Sequence, residues 1–244
     1  GVSFADLISG ESLTPNTDYR ITAANFNDAN VDKADRVTFT AELAENANYI
    51  FANDSRTAAY TKTGVSIQKA DGSAAAPTAK AGLTYSGDAQ TLIDAGSSTT
   101  GEMQYKLEDG SYSTDLPAAT NAGTYTVWYK VVGDVNHKDT TEQSVEVTIA
   151  QAEVIVTALD KKAYVGDKAP DLNAPKLGND YTVKGLIGED ALGGTIALSY
   201  PETPDMTKTG TFRIVASGAD GGQNYKVKYV SGTLTIEVRP AGVK

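Results

Sequence analysis

The chain has few of the residue types on which reactive sites and metal sites depend. Its 244 residues include no cysteine, one histidine, one tryptophan and two methionines. Without cysteine there are no disulfides, no thiol nucleophiles and no thiolate metal ligands. Because His137 is the sole imidazole, any histidine-based catalysis would depend on that one residue. We therefore expect no cofactor and no enzymatic activity from this chain.

Basic residues and long apolar runs are also scarce. There are 21 Lys and Arg against 31 Asp and Glu, which gives a formal net charge of −10. An acidic chain has no electrostatic basis for binding nucleic acid or an anionic membrane surface. No apolar run approaches the ~18 residues that a membrane span requires. The sequence thus predicts no nucleic-acid partner and no membrane insertion within this segment.

Three parts of the chain share the same features in the same order. Each has a run of alternating apolar residues, then an asparagine followed by an aromatic residue or histidine, then a second apolar ending. The runs are DRVTFTAEL at 35–43, GTYTVWYKV at 123–131 and GTFRIVASG at 210–218; the pairs are Asn48-Tyr49, Asn136-His137 and Asn224-Tyr225; the endings are TKTGVSIQKA at 61–70, SVEVTIAQA at 144–152 and GTLTIEVRP at 232–240. Such ordered self-similarity indicates three related modules.

The alternation has a period of two residues, which is typical of strands with one buried face. In the second run, for example, Tyr125, Val127 and Tyr129 are expected to point inward together. Helical spacing is almost absent, and Gly, Asn, Asp and Pro interrupt the runs at short intervals. We therefore predict an all-β chain of three tandem Ig-like antiparallel β-sandwich modules in an elongated arrangement.

The repeats also set the expected boundaries. The first segment is 1–70, the second is 79–152 and the third is 153–240, with a tail at 241–244. Residues 71–78, DGSAAAPT, are small and polar and are predicted to form a linker. The first segment is short by one strand relative to the others, so we expect it to lack its first strand.

Longer motifs in each segment resemble repeat modules of bacterial surface proteins. The third segment resembles MBG-type domains, the second resembles a bacterial Ig-like repeat, and the first resembles the related YDG-type repeat. The motifs are AYVGDKAPDL at 163–172 with KTGTFRIVASG and QNYKVKYVSGTLTIEV; LTYSGDAQTLIDAG at 83–96 with MQYKLEDGSYST at 103–114; and GVSFADLISGESLTPNTDYRITAANFNDANV at 1–31 with ENANYIF at 45–51. The strand that carries the YDG signature in that family is missing here.

The resemblance implies a place on a bacterial cell surface or outside the cell. Such modules are typically strung along large secreted or wall-anchored adhesin-like proteins, so the expected function is a non-catalytic stalk that presents another domain. Two alternatives stay open: a module that binds glycan or mucin, and accessory domains of a larger secreted enzyme. We expect a monomer, whose contacts with a host or environmental glycan or protein would be made through flanking domains.

The candidate binding residues are aromatic. If Tyr125, Val127 and Tyr129 face inward, Trp128 faces outward beside Lys130. An exposed Trp128 with Tyr105 and Tyr112 could stack on a sugar ring or anchor a protein partner. The competing interpretation is cross-strand packing that stabilises the sheet. Exposure of the three rings together would favour binding, and burial against one another would favour the stalk.

Two acidic patterns are candidates for chemistry. Asp28, Asn30 and Asp32 have the spacing that opens a calcium loop, but Lys33 and Phe39 occupy the positions where that loop needs glycine and glutamate. A solvated turn is the favoured interpretation and a calcium site of another type is the alternative; we predict no metal site. Adjacent carboxylates such as those at 189 and 190 point apart in a turn, so they do not form a glycosidase pair.

Overall fold

The structure is a computed structural model that describes residues 3–45 and 47–241. The first two residues of the first segment, Asn46 within the ENANYIF motif, and residues 242–244 of the tail lie outside the described residues. In the part that is described, regular structure consists of seventeen β-strands and no helix, so the prediction of an all-β chain is confirmed. None of these residues forms a helix long and apolar enough to span a membrane.

The chain divides into two compact units. One comprises residues 1–75, 97–104 and 130–141, and the other comprises residues 76–96, 105–129 and 142–244. The units do not coincide with the predicted modules, because the first unit takes two short stretches from the second segment. The module boundaries stay a prediction.

The first segment contains a three-stranded antiparallel sheet in the order β1-β2-β3. Its strands are β1 (Tyr19–Phe26), β2 (Arg36–Leu43) and β3 (Thr57–Thr63). One face carries a small core of Tyr19, Ala41, Leu43 and Phe51, with the Phe4 ring edge-on to Tyr19 at 4.8 Å. Among the residues described for this segment, no second sheet closes a sandwich over the core.

The second segment has seven strands, most of them short. They are β4 (Thr78–Ala79), β5 (Gln90–Thr91), β6 (Ile93–Asp94), β7 (Gly101–Leu107), β8 (Ala118–Ala119), β9 (Gly123–Gly133) and β10 (Gln143–Ile149). The main sheet has the order β10-β9-β7. On β9, Val127, Tyr129 and Val131 are buried while the residues between them are partly exposed. This confirms the predicted alternation for Val127 and Tyr129, whereas Tyr125 is only half-buried.

The third segment has seven strands in two sheets. They are β11 (Ala152–Ala158), β12 (Lys161–Tyr164), β13 (Tyr181–Lys184), β14 (Gly193–Ser199), β15 (Gly210–Asp220), β16 (Tyr225–Val230) and β17 (Gly232–Glu237). The sheet orders are β13-β11-β16 and β12-β17-β15-β14. Val156 from the first sheet and Ile214, Leu234 and Ile236 from the second share one apolar core. This segment is therefore built as two layers packed over a core.

The strand directions in the third segment differ from the prediction. We expected antiparallel sheets, but β11 pairs with β16 in parallel, and so does β12 with β17. Both parallel pairs join strands that lie far apart in the chain, where no hairpin turn fixes the direction. A period-two pattern gives the buried face of a strand but not the direction of its neighbour, so the sequence could not reveal this pairing.

Residues 71–75, at the start of the predicted linker, are held by hydrogen bonds. Lys138 Nζ donates to Asp71 Oδ1 at 2.8 Å, and the Ser73 N–H donates to Thr100 Oγ1 at 2.9 Å. Ala75 forms an antiparallel bridge with Ser97. This stretch therefore adopts a defined path along the first unit.

The core of the third segment offers a direct test of the two-layer arrangement. Leu234 is completely buried, whereas Leu177 is 64% exposed. We expect Leu234→Ala to reduce the free energy of unfolding by about 2–5 kcal/mol, because it leaves a cavity between the sheets. Leu177→Ala is the matched control and should stay within about 0.5 kcal/mol of the parent. Equal midpoints for the two variants in urea unfolding would contradict the assigned core.

Candidate functional site

The outward face of the second segment carries a cluster of aromatic and charged side chains. Trp128 lies on β9 between two buried neighbours, and its own side chain is half-buried. Lys106 Nζ lies 5.8 Å from the Trp128 ring centroid and 4.8 Å from that of Tyr112. Lys106 also pairs with Glu142 at 3.7 Å. Lys106 therefore lies over both rings, in cation–π geometry.

The three predicted binding residues do not form one surface. Tyr112 is half-buried in the Lys106 cluster, where burial and the neighbouring Glu142 carboxylate raise its pKa to about 12. Tyr105 is instead buried on the other face of the sheet, and its hydroxyl accepts a hydrogen bond from the Gly96 N–H at 3.0 Å. The structure thus brings Trp128 and Tyr112 together and places Tyr105 in the core.

His137 lies in a turn beyond the end of β9. Its Nδ1 is 2.7 Å from Asp134 Oδ1, and this contact lowers the pKa of the Asp134 carboxyl. Of the three residues that follow the repeated asparagine, Tyr225 begins β16, whereas His137 forms an isolated bridge. Tyr49 lies outside the strands, and its hydroxyl donates to Glu11. Similar residues at corresponding positions of the repeats therefore do not guarantee the same local structure.

Two of the three residues with calcium-like spacing, Asp28 and Asn30, form hydrogen bonds within the protein. Asp28 Oδ1 accepts the N–H of Asn30 at 2.8 Å, which closes a local Asx turn. Asn30 Oδ1 accepts a hydrogen bond from Asn136 Nδ2 at 3.0 Å, and Asp32 is exposed. Over the described ranges, no group of three or more His, Asp or Glu side chains is placed to hold a metal ion.

Asp190, in the turn before β14, binds two tyrosine side chains from distant parts of the chain. Its Oδ2 accepts hydrogen bonds from Tyr85 at 2.8 Å and from Tyr225 at 2.6 Å. The two tyrosine rings meet edge-on with centroids 5.4 Å apart, and both rings are buried. The Tyr225 hydroxyl also accepts the Ile187 N–H at 2.9 Å. The cluster ties the second segment, which contains Tyr85, to the third.

Hydrogen bonding shifts the pKa values of all three groups. The phenol donors of Tyr225 and Tyr85 stabilise the charged carboxylate and lower the pKa of Asp190. The pKa of Tyr85 is raised, first by its hydrogen bond to Asp190, and that of Tyr225 is raised, first by burial. Sequence reasoning missed this site because Tyr85 and Asp190 are 105 residues apart, and no local pattern links them.

The lowered pKa of Asp190 predicts acid sensitivity. A folded-state pKa below the unfolded value means that this carboxylate stabilises the fold above about pH 4 and that the contribution is lost as pH falls through the folded-state pKa. Asp190→Asn should therefore lower the melting temperature at pH 7. Between pH 7 and pH 2, the melting temperature of this variant should fall less than that of the parent. The control is Glu189→Gln, which removes the same charge from the adjacent residue. If the two variants melt alike at pH 7 and at pH 2, the assignment is wrong.

Comparison with known proteins gives one family match. A family model described as the MBG domain (YGX type) matches residues 154–235. The resemblance predicted for the third segment is thereby confirmed over those residues. The search of curated proteins returned no match for this chain.

Proposed function

We propose that this chain is a non-catalytic stalk of a bacterial cell-surface or secreted adhesin-like protein. In this role its modules act as spacers that hold another domain away from the cell. In this proposal the chain consists of three structurally related modules that lie outside the cell and resist extension.

The observation that carries the proposal is a recurring backbone contact. Ala70 forms a parallel bridge with His137, and Ala152 pairs in parallel with Tyr225. In both places the alanine N–H donates, at 2.9 Å, to the carbonyl oxygen of the asparagine that precedes the bridged partner. This asparagine is Asn136, before His137, or Asn224, before Tyr225. The last residue of the first segment and the last residue of the second therefore make the same contact with the segment that follows, at corresponding positions of the repeat. Serial repetition of one structural unit is typical of spacers.

The family match and the aromatic cluster add support. The matched MBG domain is of a kind that the sequence resemblance associates with bacterial surface proteins. Lys106 covers the rings of Trp128 and Tyr112, and Tyr105 lies in the core. A sugar-binding platform needs an open ring face, so this arrangement favours a role for the cluster in stabilising the sheet.

Mechanical unfolding tests the stalk. When the full chain is stretched by handles at its two ends, we expect separate unfolding events. A module of about 80 residues should lengthen the chain by roughly 280 Å, because an extended residue spans ~3.3–3.6 Å. A single event that releases the whole chain, or extension without measurable resistance, would overturn the proposal.

Substitution of Trp128 separates the stalk from the binding alternative. We expect Trp128→Ala to lower the melting temperature, because it removes the ring that packs under Lys106, and to leave retention on immobilised mucin unchanged. Trp128→Phe, which keeps an aromatic ring, is the control for packing. Retention by the parent that is lost in Trp128→Ala at an unchanged melting temperature would favour the glycan- or mucin-binding alternative instead.

A further inference from the structure

The side chain of Asn136 makes two hydrogen bonds to a turn about a hundred residues earlier in the chain. Its Oδ1 accepts the Val31 N–H at 3.0 Å, and its Nδ2 donates to Asn30 Oδ1 at 3.0 Å. Asn136, Asn30 and Val31 are all half-buried. One amide group thus contacts both the backbone and the side chain of the Asn30-Val31 dipeptide. Asn136 belongs to the second segment and the dipeptide to the first.

Asn224 makes the same pair of contacts. Its Oδ1 accepts the Ala122 N–H at 2.9 Å, and its Nδ2 donates to Asn121 Oδ1 at 3.1 Å. The neighbouring Gln223 adds a bond from Nε2 to the Ala122 carbonyl oxygen at 2.8 Å. Here the asparagine belongs to the third segment and the dipeptide to the second. The pattern of donors and acceptors is identical at the two places.

Both dipeptides lie in the loop that precedes a long strand, although Asn121-Ala122 comes directly before its strand and Asn30-Val31 lies a few residues further from its own. Asn30-Val31 lies in the turn that leads into β2, and Asn121-Ala122 lies in the turn that leads into β9. Those two strands contain the alternating runs by which the repeats were recognised. The contact therefore joins the turn after the long strand of one segment to the loop before the long strand of the preceding segment, and does so twice.

Each asparagine is presented by a turn with a glycine three residues earlier. A Cβ atom at Gly133 would overlap the carbonyl oxygen of His137, and one at Gly221 would overlap that of Tyr225. Any larger residue would have to displace the backbone at that point. The asparagine carbonyl also accepts the N–H of the last residue of the preceding segment, Ala70 or Ala152. The turn thus has two backbone constraints that orient the asparagine side chain towards the preceding segment.

We propose that this turn, Gly-x-x-Asn, is a recognition element by which one module docks on the one before it. Its partner is a module that presents an Asn-x dipeptide in the turn before its long strand. The asparagine side chain binds that dipeptide through one donor, Nδ2, and one acceptor, Oδ1. Alanine at the first position of the dipeptide removes the oxygen that Nδ2 requires, and proline at the second removes the N–H. This inference concerns recognition between modules and does not depend on the stalk proposal.

The first segment provides a matched control. Asn48 occupies the corresponding place in the first repeat, but the residue three positions before it is Glu45 rather than glycine, and Asn48 is exposed. Asn48→Ala therefore removes an asparagine side chain from a turn that lacks the glycine present at Gly133 and Gly221.

Amide hydrogen exchange of the full chain, followed by NMR, tests the proposal. In Asn136→Ala we expect the Val31 amide to exchange on the order of tenfold faster, and in Asn224→Ala the Ala122 amide, because each loses its acceptor. Asn48→Ala should leave both rates unchanged. Unaltered exchange at Val31 and Ala122 in the first two variants, or equal acceleration in Asn48→Ala, would overturn the proposal.

A double-mutant cycle tests the same contact from the partner's side. If the two side chains act as a pair, Asn30→Ala and Asn136→Ala together should cost less stability than the sum of the single changes. The pair Asn121→Ala and Asn224→Ala should likewise cost less stability together than the sum of the two single changes. Strict additivity in both pairs would contradict a docking contact. Should Asn136→Ala prevent folding, Asn136→Asp keeps the acceptor for the Val31 N–H and should preserve its slow exchange, whereas fast exchange there would count against the assignment.

Discussion

Burial of alternate side chains along each strand is the constraint on which the structure depends. The chain has no cysteine and therefore no disulfide, and its described buried residues form apolar cores. Val127, Tyr129 and Val131 on β9 and Ile214 and Ala216 on β15 are buried at alternate positions, and the largest fully buried side chains are all Leu, Ile or Val. The residues between them remain on the outward face, where Trp128 and Lys106 meet.

Several long-range hydrogen bonds of polar side chains are made at turns. No polar or charged residue is buried among those described. The long-range hydrogen bonds of Asn136, Asn224 and Asp190 instead lie where one predicted module meets another. Such contacts have direction and fixed donors and acceptors, so they can specify how segments meet, whereas apolar burial alone is not directional. A thin core therefore holds each segment together, and hydrogen bonds at turns link successive segments.

Several residues that suggest chemistry have structural partners. Asn30, part of a calcium-like spacing, accepts a hydrogen bond from Asn136. Asp190, one of two adjacent carboxylates, accepts two phenol groups, and His137 contacts Asp134. These contacts account for polar residues at turns without a reaction. They agree with the proposal of a spacer, in which polar groups serve assembly of the repeats.

The sequence by itself determined the all-β class, the buried positions on the long strands and the likeness of the third segment to MBG domains, because a period of two residues and a repeat are local properties of the chain. Tertiary structure decided the rest. The parallel pairing of β11 with β16, the burial of Tyr105 away from Trp128, and the contacts of Asp190 and the two asparagines all join residues far apart in sequence. A strand pattern fixes which face of a strand is buried, but only folding fixes which strand lies beside it and which distant side chain its turns meet.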